Sequence, residues 1–254
     1  SHAFLLGQTV LPTWSQGGVP LTPDLQSLPQ RAAFSFAPAD CATGCALDDL
    51  ANSVLALGDF AFDTRQAGDT TVRSAIRGSF AIDADAMSGV LAGMLDQGAQ
   101  RFDDAPFPSY LFAVNPIPAP PQGSAVVGTG LHRSFLLLAS ENADAERLRH
   151  TIAHEIVHEW ITRRMGPTAE ETDAQRMWFT EGAAEYFAWT LPLAAGLIDT
   201  QDFLAGMSDL ASEYLASPVR ELPAGELAER IFESEEAQRL PYQRGALLAW
   251  HWDI

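Results

Sequence analysis

Two histidines and a glutamate in the segment His154-Glu155-Ile156-Val157-His158 have the residue types and spacing of a metal site. On a helix, residues four apart share one face about 6 Å apart along the axis, so both imidazoles can reach one tetrahedral zinc ion. Glu155 can then take a proton from the attacking water and return it to the leaving amine, while the metal polarises the scissile carbonyl. The pattern predicts zinc-dependent hydrolysis of a peptide bond without a covalent intermediate.

A further carboxylate, Glu181, follows at the predicted start of another helix, with small residues behind it that permit packing on the helix of the histidines. We interpret Glu181 as the third metal ligand, which leaves the fourth coordination position for water, as a catalytic zinc requires. Glu185 lies one turn later. It either accepts the free N–H of a ligating histidine and fixes its tautomer, or is a solvated helix carboxylate.

His150 extends the row of histidines by one more turn. His150 and His158 would be about 12 Å apart along a helix axis, so they cannot share one ion. In the pair formed by His150 and His154, the interior position corresponding to Glu155 is Thr151, which is not a general base. We therefore place His150 outside the ligand set.

The elements that position these residues differ between the two halves of the chain. Residues 1–82 combine short apolar runs with proline and glycine, which predicts a β-rich N-terminal domain. Residues 83–254 predict a second, mostly helical domain that carries the metal site, so the fold class is α+β. The strands of the first region are predicted at 3–6, 32–36, 53–57 and 79–82.

The second region should open with a helix over 83–102, where apolar residues recur at helical spacing after a capping Asp83. A loop over 116–130 separates two strands, and Gly166-Pro167 should stop the long histidine helix. The last residues still have the pattern of a helix interior, so we expect the chain to be a fragment that lacks its natural C-terminal part. The predicted strands are 110–114 and 134–139, and the later helices are 144–165, 180–191, 201–215, 227–238 and 243–254.

Composition narrows the classes of partner. The chain has 254 residues with 15 Lys+Arg against 33 Asp+Glu, a formal net charge of -18, which repels phosphate backbones and argues against nucleic acid. A neutral or cationic peptide substrate fits better. No apolar run is long enough for a membrane span. The sequence does not determine the oligomeric state.

Cys41 and Cys45 are close enough in sequence for a small disulfide loop, which would indicate an oxidising compartment. Two reduced thiols in a loop fit equally well. A structural zinc site would need more ligands of this kind nearby.

Taken together, these residues resemble the gluzincin metallopeptidases, and among them the glycyl-aminopeptidase-like family. The resemblance rests on His158-Glu159-Trp160, on Trp178-Phe179-Thr180-Glu181-Gly182, on the segment 106–112 and on 240–248. It implies a β-rich domain followed by a thermolysin-like catalytic domain. It also implies export, so periplasmic or cell-surface placement is expected, with the cytoplasm as the alternative.

The resemblance assigns Tyr242 the hydrogen bond to the tetrahedral intermediate, with Arg244 where a lysine is usual. The alternative for Tyr242 is a residue that caps a helix N-terminus beside Pro241. The segment 128–134 resembles the family's glycine-rich edge strand, which can pair with an extended substrate backbone. The glutamate that such peptidases use near the substrate amine is absent there, and His132 lies near its place.

Three functions therefore remain open. The first is a zinc peptidase, either an aminopeptidase or an endopeptidase acting on short peptides. The second is a non-catalytic peptide-binding protein that retains the peptidase fold. The third is zinc hydrolysis of a non-peptide amide, which uses the same ligands as the first and is separated from it by substrate profiling. Intact Glu155 and Tyr242 favour the enzyme, because a binding scaffold needs neither.

Overall fold

The computed structural model describes residues 2–6, 32–35, 47–104, 108–131, 133–162 and 170–253. The chain divides into two compact units, Ser1–Ile152 and Ala153–Ile254. The described strands all belong to the first unit, and the second is helical, which confirms the predicted α+β fold. The predicted domain boundary between residues 82 and 83 stays a prediction, because the boundaries of compact units need not coincide with those of evolutionary domains.

The first unit contains, in chain order, β1 His2–Leu6, β2 Ala32–Phe34, α1 Leu47–Ala51, β3 Val54–Gly58, β4 Ala61–Ala67, β5 Thr70–Ile76, α2 Ala84–Arg101, β6 Ser109–Ile117, β7 Val126–Leu131 and β8 Ser134–Ser140. Helix α3, Ala145–Ile161, crosses the division between the units. The second unit continues with α4 Glu170–Ala194, α5 Thr200–Ala216, α6 Ala224–Arg230 and α7 Glu235–Asp253.

The strands of the first unit form two sheets. A three-stranded antiparallel sheet has the order β1-β3-β2, and a five-stranded sheet has the order β4-β5-β6-β8-β7. Strands β5, β6 and β8 are parallel, whereas β4 and β7 join antiparallel at the two edges. The central strand β6 is buried along 109–114, as expected for a strand covered on both faces.

One apolar core joins the residues of both sheets in this unit. Phe60, Leu111 and Leu136 belong to it, together with small residues such as Ala56 and Ala113. A polar link accompanies the core, because the buried Ser35 hydroxyl lies 2.9 Å from the Ser134 hydroxyl. Both polar groups are therefore paired despite their burial, as a folded core requires.

Helix α2 begins where the sequence predicts. The Asp83 side chain accepts a hydrogen bond from the Ala86 backbone N–H at 2.8 Å, and buried residues recur along one face of the helix. An N-cap carboxylate satisfies one of the N–H groups that have no partner within the helix. The predicted helix over 83–102 is confirmed.

The strand predictions are confirmed for 3–6, 32–36 within the described residues, 53–57, 110–114 and 134–139, but the strand at 79–82 is wrong. Those residues lead into α2 instead, and the Ser79 backbone N–H donates to Glu141. The hairpin of β4 and β5 was not predicted. Its two-residue turn places Gly68 at a φ of +55°, a conformation that favours glycine, so Gly68-Asp69 was an available signal.

Of the glycine-rich segment 128–134 that resembles an edge strand, residues 128–131 belong to β7, at one edge of the five-stranded sheet, and Ser134 already begins β8. The loop predicted over 116–130 is therefore shorter in the structure and extends only from 118 to 125. Burial alternates over the first four residues of β7, as in a strand with one covered face, and the segment contains two glycines.

Helices α4, α5 and α7 of the second unit share an apolar cluster built on Tyr186, Met207, Leu210 and Ala246. Helix α4 begins ten residues before the predicted start near residue 180, so Glu181 lies within the helix and not at its beginning. The residues from 170 to 179, which the sequence prediction left between two helices, therefore belong to α4. Polar residues such as Arg176 are good helix formers, and they continue the helix toward its N-terminus.

The last helices also differ from the prediction. Helix α6 ends at Arg230, and α7 runs without a break from Glu235 to Asp253, with Pro241 inside it. A proline usually ends or kinks a helix because it lacks an N–H, which is why the sequence suggested two separate helices here. Pro241 is buried in α7 and is accommodated by packing.

Several predictions fall outside the described residues: the pairing of Cys41 and Cys45, the position of His132, part of the segment 106–112, and the helix stop at Gly166-Pro167. Among the described residues, none of the helices is both long enough and apolar enough to cross a membrane.

Candidate metal centre

The two histidines of the motif project from consecutive turns of α3. The centroids of the His154 and His158 rings are 5.0 Å apart, and the ring planes meet at 78°. The four-residue spacing brings both rings to one face of the helix, as predicted.

Glu181 of α4 meets both imidazoles. Its Oε2 lies 3.2 Å from His154 Nε2 and 3.5 Å from His158 Nε2. Within the described part of the chain, these three residues form the group of side chains that could hold a metal ion, with ligand atoms all within 4.8 Å of one another. The structure thus brings together the three residues predicted as ligands.

The spacing of the donor atoms fits a zinc ion. Zinc binds imidazole nitrogen and carboxylate oxygen at about 2.0–2.2 Å in tetrahedral geometry, so two ligand atoms on one ion are about 3.3–3.6 Å apart. Of the separations from Glu181 to the two imidazoles, 3.5 Å lies within that range and 3.2 Å is about 0.1 Å below it. Two histidines and one carboxylate are also a known donor set of catalytic zinc.

The other ring nitrogens have their own partners. His154 Nδ1 lies 3.3 Å from Glu185 Oε2, and His158 Nδ1 lies 2.9 Å from the Thr162 hydroxyl. Glu185 therefore contacts a histidine and is not a solvated carboxylate, in agreement with the first of its two interpretations. The contact of Thr162 was not predicted, although its spacing of four residues from His158 was a signal for it.

The charges of His154 and Glu181 affect each other's pKa values. Burial disfavours a protonated His154, but contacts with Glu181 and Glu185 outweigh it and raise the pKa of His154 to about 10. Burial also opposes ionisation of Glu181, yet its contacts with both histidines hold its pKa well below the usual value. The carboxylates therefore stabilise positive charge here, whether it is a proton or a metal cation.

Glu155 and Tyr242 lie beside this group. Glu155 follows His154 on α3, and the Tyr242 ring stacks on the His154 ring at a centroid distance of 5.7 Å and an angle of 23°. Burial, and then the charges of Glu181 and Glu155, raise the pKa of the Tyr242 phenol above its ordinary value. The phenol therefore keeps its proton and remains a hydrogen-bond donor.

Tyr242 is the eighth residue of α7, so it does not cap the N-terminus of a helix, and that alternative is wrong. Two neighbours fix this stretch of α7. The Gln243 amide donates to Glu213 of α5 at 3.1 Å. The Arg244 guanidinium donates to the backbone carbonyls of Arg220 and Leu222 at 2.7 and 2.9 Å.

A contact between glycines sets the approach of α4 and α7. A Cβ atom at position 245 would overlap the carbonyl oxygen of Trp178 and lie 2.7 Å from Gly182 Cα. The nearest neighbours of a Cβ atom at Gly182 would be Gly245 and the Pro241 carbonyl oxygen, both on α7 next to the turn that carries Tyr242.

His150 lies one turn before His154 on α3 and is not among the three residues of the ligand group, in agreement with the sequence argument.

Comparisons with known proteins agree with this picture. Residues 147–240 match the model of a family described as M61 glycyl aminopeptidase, which confirms the resemblance found in the sequence. That segment contains His154, His158 and Glu181 but ends before Tyr242. No curated protein matches the chain.

Among solved structures, an aminopeptidase N family protein from Idiomarina loihiensis is similar, with a TM-score of 0.62 and 23% identity, over 81% of this chain and 39% of that one. An M1 zinc metallopeptidase from Deinococcus radiodurans, bound to a Tyr-Ser-Ala substrate, has a TM-score of 0.45 and 22% identity, over 78% and 41% of the two chains. The first similarity supports the fold. The chain spans about two-fifths of the length of these proteins.

Proposed function

We propose that this chain carries the active site of a zinc-dependent peptidase of the gluzincin type. The observation that carries the proposal is the position of Glu181 Oε2, 3.2 Å from His154 Nε2 and 3.5 Å from His158 Nε2, in a group whose ligand atoms all lie within 4.8 Å of one another. These three atoms would hold zinc, which when bound supplies Lewis-acid activation of water and of the scissile carbonyl. The family match over 147–240 supports a peptidase.

Glu155 has the role of general base and then general acid. It takes one proton from the attacking water as the water oxygen adds to the carbonyl carbon. It then gives that proton to the amine nitrogen as the C–N bond breaks. The reaction therefore needs no covalent enzyme intermediate.

Tyr242 would donate its O–H to the oxygen that gains negative charge in the tetrahedral intermediate. Its ring is stacked on His154, so the phenol lies beside the metal ligands, and its raised pKa keeps the donor protonated. Glu185 would hold His154 in the tautomer that leaves Nε2 free to bind metal.

The proposed substrates are short peptides, neutral or cationic, because a chain with a net charge of -18 repels anionic ones. Cleavage at the peptide N-terminus and cleavage at internal bonds use the same residues. Which of the two kinds of cleavage the chain performs depends on its contacts with the substrate amine.

Metal content tests the proposal first. We expect about one zinc per purified chain by mass spectrometry, lost in His154→Ala. His251→Ala is the matched control, since His251 is an exposed histidine of α7 outside the ligand group. A chain that binds no zinc even after reconstitution would contradict the peptidase and favour a peptide-binding protein that retains the fold.

Turnover of paired peptides tests the substrate class. Each peptide is offered with a free and with an acetylated N-terminus, and products are identified by mass spectrometry. Cleavage of the free form alone indicates an aminopeptidase, and cleavage of both indicates an endopeptidase. A zinc-loaded chain that binds peptides but cleaves neither would make the binding protein the better interpretation.

A further inference from the structure

Both histidines of the candidate metal centre use their two ring nitrogens in the same way. In each ring Nε2 faces Glu181, and Nδ1 faces a second side chain. The second partner differs: it is the Glu185 carboxylate for His154 and the Thr162 hydroxyl for His158. The shorter of these two contacts is that of Thr162, at 2.9 Å against 3.3 Å.

A neutral imidazole has one N–H and one lone pair, and metal binding needs the lone pair. For Nε2 to bind, the hydrogen must be on Nδ1, and an acceptor at Nδ1 favours that tautomer and fixes the ring plane. The Thr162 hydroxyl oxygen is such an acceptor, because it has lone pairs as well as its own hydrogen.

The helix keeps Thr162 in place. Thr162 lies four residues after His158, and its backbone N–H donates to the His158 carbonyl at 3.3 Å, which continues the pattern of α3 by one residue. Thr162 directly follows the last residue of α3, and its β-branched side chain restricts χ1, so the hydroxyl can occupy only a few positions. Local geometry thus directs the hydroxyl toward the His158 ring.

We propose that Thr162 is a positioning residue for metal binding: its hydroxyl accepts the Nδ1–H of His158 and holds Nε2 toward His154 and Glu181. The inference rests on the proposed function, since it concerns the same metal. It adds a residue that lies beyond the His154–His158 motif.

The two supporting residues also differ in charge. Glu185 adds a negative charge next to Glu181 and Glu155, whereas Thr162 orients its histidine without adding another. A third carboxylate partner would increase the repulsion among the acidic side chains of the site. A hydroxyl gives the orientation alone.

Thr162→Val tests the inference, because it removes the hydroxyl and keeps the shape of the side chain. We expect the Kd for zinc, measured by competition with a fluorescent chelator, to rise by about 10-fold, at the low end of the range for such partners because the His158 side chain is 19% exposed to water. Thr162→Ser, which restores a hydroxyl, should return the Kd toward wild type. The melting temperatures of the metal-free proteins should agree, since Thr162 is exposed.

Thr71→Val is the matched control, as Thr71 is a threonine of β5 whose hydroxyl accepts one exposed hydrogen bond from Gln66. Thr162→Ala serves as a second removal of the hydroxyl if valine disturbs the end of α3. An unchanged Kd in both Thr162→Val and Thr162→Ala, or a Kd for Thr162→Ser as weak as that for Thr162→Val, would overturn the inference. A wild-type chain that binds no zinc would instead overturn the proposed function.

Discussion

The two sides of the candidate metal centre are built in different ways. On one side, His154, Glu155 and His158 come from a single helix, and their relation depends only on helical spacing. On the other, Glu181 and Tyr242 come from α4 and α7, whose approach depends on the contact between Gly182 and Gly245. The first side should therefore tolerate changes in packing, whereas the second should depend on them.

Substitutions on the two sides should therefore have different effects, on the reaction or on the packing of the helices. A substitution on the α3 side can remove a functional group and leave the helix intact. A substitution at the crossing of α4 and α7 changes the relative position of two helices and of every side chain that they carry. The following predictions test that distinction, from the largest expected effect to the smallest.

Glu155→Gln should lower kcat by about 10²–10⁴-fold, because glutamine cannot accept the proton of the attacking water. Zinc content and the free energy of unfolding should stay at the wild-type values. The control is Glu146→Gln, an exposed glutamate of the same helix. Unchanged peptide turnover in Glu155→Gln would contradict the mechanism.

Gly245→Ala should destabilise the chain by about 3 kcal/mol or more, since the added methyl group would overlap the Trp178 carbonyl oxygen. Urea unfolding of the metal-free protein measures the change. Gly225→Ala is the control, because a Cβ there would have no atom of the described residues within 4 Å. It should have an effect within about 1 kcal/mol, in the stabilising direction that alanine confers in a helix. Equal effects of the two variants would show that the crossing tolerates a larger residue.

Glu185→Gln should weaken zinc binding by about 10- to 100-fold, because the neutral amide supports the Nδ1–H of His154 less well than a carboxylate does. The comparison is Glu229→Gln, an exposed glutamate of α6, whose zinc Kd should equal that of wild type. If both variants bind zinc with the wild-type Kd, the contact of Glu185 with His154 does not contribute to zinc affinity.

Asp199→Ala should cost about 1 kcal/mol of stability and leave the zinc Kd unchanged. Asp199 caps α5 by accepting from the Gln201 and Asp202 backbone N–H groups at 2.8 and 2.9 Å. Asp209→Ala, an exposed acid on the same helix, controls for charge and should be nearly neutral. A loss of zinc in Asp199→Ala would mean that α5 supports the metal centre more directly than its packing indicates.

Much of the α3 side could be predicted from the sequence because the relevant distances are local. The spacing of His154 and His158 determines which face they share, and Asp83 marks the beginning of α2 in the same local way. The parallel strands β6 and β8 were recognisable as apolar runs. Each of these signals lies within a few residues of the feature that it predicts.

The other side was less predictable because it depends on contacts between distant residues. Gly182 and Gly245 meet only after α4 and α7 have packed, so neither glycine indicates the other in the sequence. For the same reason Pro241 suggested a break in a helix that tertiary packing keeps continuous. Thr162 was a different case, since its spacing from His158 was local and could have been noticed.

The contact between Gly182 and Gly245 also has an evolutionary consequence. Each glycine is required because the other helix is close, so neither position can accept a larger residue while the partner helix stays where it is. The two positions should therefore change together during divergence. Relatives that keep this crossing should carry glycine at both positions, and relatives that have lost one glycine should place the tyrosine-bearing helix elsewhere.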